Sequence, residues 1–198
     1  MSDVTRPMRG RREFLHALRA LPLLALAPAA LAKEASPAAQ RADIRKMANT
    51  TLRRLYKAQP GARQAIANAS GYAVFSNFGM KLFFAGGGSG TGIVVNRQTR
   101  HETFMKMFEL QAGIGFGIKR FSVIFVFGSD EALAGFVDAG WEFSGQGTAA
   151  AALDESGKSL AGAVHVAPDI WMYQLTDKGI ALELTAKGTR YYRDDALN

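Results

Sequence analysis

The 198-residue chain contains no cysteine. That excludes a disulfide framework, a thiolate nucleophile, a thiolate metal site and a lipidated cysteine of the lipoprotein type. Histidine is nearly as scarce, with His16, His101 and His165 making up all three. Neither His101 nor His165 sits in a metal-ligand spacing such as His-x-x-x-His, so both read as surface or hydrogen-bonded structural residues. The glycine strings contain neither Gly-x-x-x-x-Gly-Lys-Ser/Thr nor Gly-x-Gly-x-x-Gly, which removes both common phosphate loops. Ser89, in Gly87-Gly88-Ser89-Gly90-Thr91, lacks the closing glycine of a nucleophile elbow. The acid pairs Asp130-Glu131, Asp154-Glu155 and Asp194-Asp195 are sequence neighbours, whose side chains point apart in regular structure. No catalytic, cofactor or metal site can be assembled, and a non-enzymatic protein without a cofactor is expected.

A membrane-spanning run is missing as well. The longest apolar stretch, Ala20 to Leu31, is about 12 residues and is broken by Pro22 and Pro28, against the ~20 that a helical span needs. Arg6, Arg9, Arg11 and Arg12 precede it, and Ala30-Leu31-Ala32 closes it with the small-x-small pattern of a signal peptidase site. Residues 1–32 therefore read as a cleaved export signal. Arg11-Arg12-Glu13-Phe14-Leu15 resembles the twin-arginine motif, with an ordinary Sec signal as the alternative. Either route leads to a periplasmic location, and residues 33–198 suit one domain.

Charge is distributed unevenly. Residues 33–63 hold 8 basic and 2 acidic side chains, whereas residues 64–198 hold 11 basic and 13 acidic. The mature excess thus sits on one N-terminal segment, which points to a local anionic partner such as a lipid headgroup surface, while export argues against nucleic acid. Ser36-Pro37 opens a helix there. Ile44, Met47, Ala48, Thr51, Leu52, Leu55 and Tyr56 form one apolar stripe at helical spacing, and the helix is expected to run from Pro37 to Ala58. Arg45, Lys46, Arg53, Arg54 and Lys57 lie mostly off that stripe and are the candidate headgroup ligands. The stripe either packs on the rest of the domain or enters the headgroup boundary.

A shorter helix is expected from Ala62 to Ala69. From Gly71 to Gly147 the chain concentrates 15 of its 21 glycines and 12 of its 13 phenylalanines, and the period becomes 2. Strands are expected at Tyr72 to Phe78, Lys81 to Ala85, Gly90 to Asn96, His101 to Met107, Phe121 to Phe127, Trp141 to Ala151, Ile170 to Leu175 and Ile180 to Ala186. In the alternation from Phe108 to Ile118, the phenylalanine phase is expected to form an apolar face and Glu109 with Gly113, Gly115 and Gly117 a nearly bare one. Turns are expected at Asn96 to Arg100, Lys119-Arg120 and Asp177-Lys178-Gly179, a Ser129-capped helix ending at Gly140, and a mobile loop at Asp154 to Ser159. The whole is an α+β fold: an antiparallel, strongly curved sheet or partly closed β-barrel with an N-terminal amphipathic helix and short helices at one end.

The run from Pro60-Gly61-Ala62-Arg63 to Gly71-Tyr72-Ala73-Val74-Phe75, then Gly86-Gly87-Gly88-Ser89-Gly90-Thr91-Gly92, Gln111-Ala112-Gly113-Ile114-Gly115-Phe116-Gly117 and Lys178-Gly179-Ile180-Ala181-Leu182-Glu183-Leu184, resembles the SYLF domain family over roughly Ala39 to Asp195. The resemblance implies lipid binding, which in eukaryotic members uses a basic amphipathic N-terminal helix on phosphoinositide membranes and in fungi is joined by actin binding. Here the export signal, and the absence of an attached SH3 or FYVE module, make actin an unsuited partner. A bacterial envelope phospholipid is the expected ligand, met peripherally on a membrane face. A structural or assembly module acting through protein contacts is the alternative.

Overall fold

A computed structural model describes residues 35–82, 85–112, 117–143, 160–176, 179–181 and 188–198. The expected export signal and the loop at Asp154 to Ser159 lie outside them, as does the Trp141 strand beyond Phe143.

Helix α1 spans Pro37–Ala58, started by Ser36, whose Oγ accepts from the Ala39 N–H at 3.3 Å. Pro60 separates it from α2, Gly61–Asn68. Four long strands follow: β1 (Gly71–Leu82), β2 (Ala85–Asn96), β3 (Glu102–Ala112) and β4 (Gly117–Phe127). Ser129 then caps α3, Asp130–Asp138, by accepting from the Ala132 N–H, and Gly140 leaves the helix with φ at 70°. Short strands complete the chain: β5 (Trp141–Phe143), β6 (Val164–Ala167), β7 (Ile170–Thr176), β8 (Gly179–Ala181) and β9 (Thr189–Arg193). All pairings are antiparallel, in the order β5-β9-β3-β2-β1-β4-β7-β6, with β8 also on β7.

Ring distances show that this sheet is curled into a half-barrel. Tyr191 on β9 and Phe125 on β4 are four strand spacings apart, about 19 Å in a flat sheet. Their ring centroids are 5.1 Å apart, and Trp141 on the edge strand β5 is 5.3 Å from Phe125. The inner face is packed with Phe75, Met105, Met107, Phe125, Phe127 and Tyr191, joined by Leu133 and Phe136 of α3. A Cβ on Gly92 would overlap the Phe75 ring, and one on Gly90 would come within 2.8 Å of Met107 Cγ. These two glycines therefore make room for bulky neighbours against bare backbone, the close approach that glycine in a strand signals.

The outer face carries α1 across a single row of paired residues: Phe104, Ile93, Val74, Ile124 and Tyr173. Ile44, Ala48, Leu52 and Leu55 are buried on that row, with Ala62 and Ile66 of α2 beside them. Phe121 through Phe127 is buried on both faces, as a near-continuous apolar run predicts.

Several local expectations are corrected. Lys119-Arg120 is not a turn; both lie within β4, paired with Gly79 and Phe78. The strand expected at Lys81 to Ala85 is instead the end of β1 and the start of β2, which pair out to Leu82 and Ala85. Strands β6 and β9 had no counterpart in the sequence reading. The phase expected from Phe108 is inverted at its start: Phe108 is 46% exposed and Glu109 only 1%. Met105 and Met107 are locked in the inner core, so alternation carries Glu109 inward and Phe108 outward.

Candidate functional site: the outer face of the sheet and helix α1

The structure sorts the five basic candidates of α1 into two groups. At about 100° per residue, Lys46, Arg53 and Lys57 fall within roughly 40° of one another, opposite the buried stripe. All three are exposed. Arg53 donates to Thr50 Oγ1 at 3.2 Å on the same helix, and no acid pairs with any of the three among the described residues. Arg45 and Arg54 instead lie on opposite flanks and are tied to the sheet. Arg45 Nε donates to Glu102 Oε2 at 2.7 Å while its guanidinium lies 5.2 Å from the Phe104 ring centroid. Arg54 donates to the Thr176 carbonyl at 2.8 Å. Burial of the stripe explains the sorting: once Leu55 is fully enclosed, the flanking cations reach the sheet and the opposite ones face solvent.

Beside α1, on the flank toward Arg54, the outer face is open. A groove of about 540 Å³ is lined by Asp43, Ile44 and Met47 of the helix and by Ser76, Ser89, Thr91 and Lys106 of the sheet. Lys106 Nζ is 2.9 Å from Asp194 Oδ1, and that hydrogen bond to the carboxylate is the main cause of its raised pKa. Phe108 and Tyr192, 46% and 40% exposed, are the exposed large hydrophobics of the described residues. Neither lines the groove, but each is paired with a residue that does: Phe108 with Ser89 and Tyr192 with Lys106. The sequence signal for this patch was present in Met105-Lys106-Met107, where a charge between two core methionines fixes which phase faces out.

The inner face holds polar groups that the sequence reading did not single out. Glu109 pairs with Thr189 across β3 and β9, and Tyr191 follows on the same face. Burial, aided by the Glu109 charge, pushes the Tyr191 phenol far upward. The Tyr191 hydroxyl, Thr189 Oγ1 and Gln174 Oε1 are buried without a hydrogen-bond partner among the described residues. Burial likewise raises Tyr173 to about 12, and its hydroxyl donates to the Leu160 carbonyl at 2.9 Å. His101 lines a different pocket, of about 410 Å³, with Asp130 and Asp138 between the β2–β3 turn and α3. His165 is 5.4 Å from the Trp171 ring. Neither histidine lines the groove that holds Ser89.

No helix among the described residues is long and apolar enough to cross a membrane. No protein-family model matches the chain. Over 157 residues it is 32% identical to beta cell expansion factor A of Aeromonas veronii, a match that takes in 79% of this chain and 58% of that protein. The chain thus spans less than two thirds of the length of this curated relative.

Proposed function

We propose that this chain is a bacterial SYLF-domain protein, exported to the periplasm and non-enzymatic, that binds phospholipid peripherally through anionic headgroups. The exposed line of Lys46, Arg53 and Lys57 carries the reading: three cations on one face, with no acid pairing them among the described residues, suit a surface of phosphates. Arg45 and Arg54 hold the helix to the sheet and contribute charge at its flanks. The buried stripe supports peripheral contact over insertion, since an inserted helix would have to expose Leu52 and Leu55 from their packing on the sheet. The similarity to beta cell expansion factor A and the order of the glycine-rich strings support the family reading.

Co-sedimentation of the chain from Lys33 onward with phosphatidylglycerol vesicles tests this. Lys46→Glu, Arg53→Glu and Lys57→Glu together are expected to weaken binding by at least about ten-fold, and raising salt is expected to weaken the wild type. Equal binding by the triple variant would sink the headgroup role.

A further inference from the structure

The open groove differs in chemistry from the helix face above it. One wall, from the helix, is apolar at Ile44 and Met47 and carries one carboxylate, Asp43. Its floor is hydroxylic: Ser76 and Thr91 are directly paired across β1 and β2, and Ser89 lies two residues along on the same face. Lys106 supplies a cation that is 43% exposed even while it touches Asp194. Next to the lining, on residues paired with Ser89 and Lys106, Phe108 and Tyr192 present aromatic surface to solvent, and Arg190 stands opposite Phe108 in the register. Aromatic rings of this kind, half in and half out of water, alternate with Lys106 and Arg190 along two adjacent strands.

We propose that this groove binds one phospholipid molecule, with the phosphate and glycerol oxygens on Ser76, Ser89, Thr91 and Lys106 and the start of an acyl chain along Met47, Phe108 and Tyr192. The inference rests on the phospholipid reading above and names a second, separate contact for the same ligand. An amphiphile is the occupant that matches both the hydroxylic lining and the exposed rings on the paired residues beside it: a purely apolar ligand would strip water from three hydroxyls, and a purely polar one would leave the two rings in water. The volume falls within the ~300 to 1,000 Å³ of small-molecule sites, enough for a headgroup and part of one chain. Salt-dependent attraction along α1 and chain contact in the groove then act together, and the cations of α1 need not release the lipid for the groove to hold it.

The test uses the chain from Lys33 onward and diheptanoyl phosphatidylglycerol below its micelle concentration, followed by amide chemical shifts. Saturable one-to-one binding is expected, with shifts concentrated at Ser76, Ser89, Thr91, Lys106 and Phe108. Phe108→Ser with Tyr192→Ser is expected to weaken it about ten-fold at an unchanged melting temperature, since both rings are exposed. Three outcomes are decisive. If the wild type binds phosphatidylglycerol vesicles but not the monomeric lipid, or if the double variant binds the monomer equally well, the groove is overturned and the headgroup reading stands. If it binds neither, both fall.

Discussion

Tyr191 offers the sharpest test of the inner core, because its ring and its hydroxyl have opposite energetic signs. The ring is 1% exposed and packs 4.7 Å from Phe75, 5.1 Å from Phe125 and 5.6 Å from Phe136, centroid to centroid. The hydroxyl is buried without a hydrogen-bond partner among the described residues. In the unfolded chain water satisfies that hydroxyl, so folding loses about 1 to 3 kcal/mol on it. Tyr191→Phe keeps the ring contacts and removes the stranded group. It is expected to stabilise the protein by about 1 kcal/mol, which in a domain of this size raises the melting temperature by roughly 2 to 4 °C. Urea denaturation of the chain from Lys33 onward should show a higher midpoint at unchanged slope. Tyr191→Ala is the contrasting perturbation: it empties the centre of the aromatic cluster and should cost about 3 to 5 kcal/mol. A Tyr191→Phe variant that is less stable than wild type would refute the reasoning, because it would mean that the hydroxyl makes a stabilising hydrogen bond.

Further outcomes follow from the same geometry. Gly92→Ala should destabilise the protein by more than about 3 kcal/mol or prevent folding, since its Cβ has no space beside the Phe75 ring; Gly135→Ala, in α3 with open space at the Cβ, should gain about 0.5 to 1 kcal/mol, both read by urea denaturation. Ser129→Ala removes the cap of α3 and should cost about 1 kcal/mol by the same measurement. Stability should fall as pH rises above about 10: the unfolded chain releases its tyrosine protons there, while Tyr173 and Tyr191 hold theirs in the fold, so the unfolded state binds fewer protons. For Tyr173 the loss continues up to about 12. The Tyr191→Phe variant, followed by circular dichroism against pH, should keep its structure to a more alkaline midpoint than wild type.

What was legible in the sequence followed local rules. Ser36-Pro37 and Gln59-Pro60 bracket α1 because capping and proline act within a few residues, and Ser129 and Gly140 frame α3 for the same reason. The five cations were identifiable as a group, but their sorting was not. It depends on which flank of α1 meets Glu102 and which meets Thr176, and those contacts join positions 57 and 122 residues apart. Strand β9 is hard to read from sequence because Thr189-Arg190-Tyr191-Tyr192-Arg193 buries only two of its five residues and its core aromatic, Tyr191, is half of an adjacent tyrosine pair. The inversion at Phe108 and Glu109 has a different cause. Residue hydrophobicity favoured the phenylalanine phase, whereas the anchoring of Met105 and Met107 around the curl of the sheet decided the other.

The packing of α1 also bears on how strongly a peripheral contact can hold. Lys46, Arg53 and Lys57 near an anionic surface supply roughly 1 kcal/mol each, or ~3 kcal/mol together, which is weak and falls with salt. Exposing the stripe for insertion would first free Ile44, Leu52 and Leu55 from the sheet, at about 1.5 to 3 kcal/mol for each side chain. Lipid would return much the same amount, with no net gain, and the ties of Arg45 to Glu102 and of Arg54 to Thr176 would be lost as well. Insertion of α1 is therefore the less favourable way to strengthen binding. The exposed surface of Phe108 and Tyr192 is already in water and has no packing to lose. Contact there adds to the three cations an apolar term that salt does not screen, so binding persists to higher salt than charge alone would allow. In the Phe108→Ser, Tyr192→Ser variant, vesicle binding should consequently be lost at a lower salt concentration while keeping the wild-type slope of log affinity against log salt; a changed slope would mean that the rings act through the cations and not beside them.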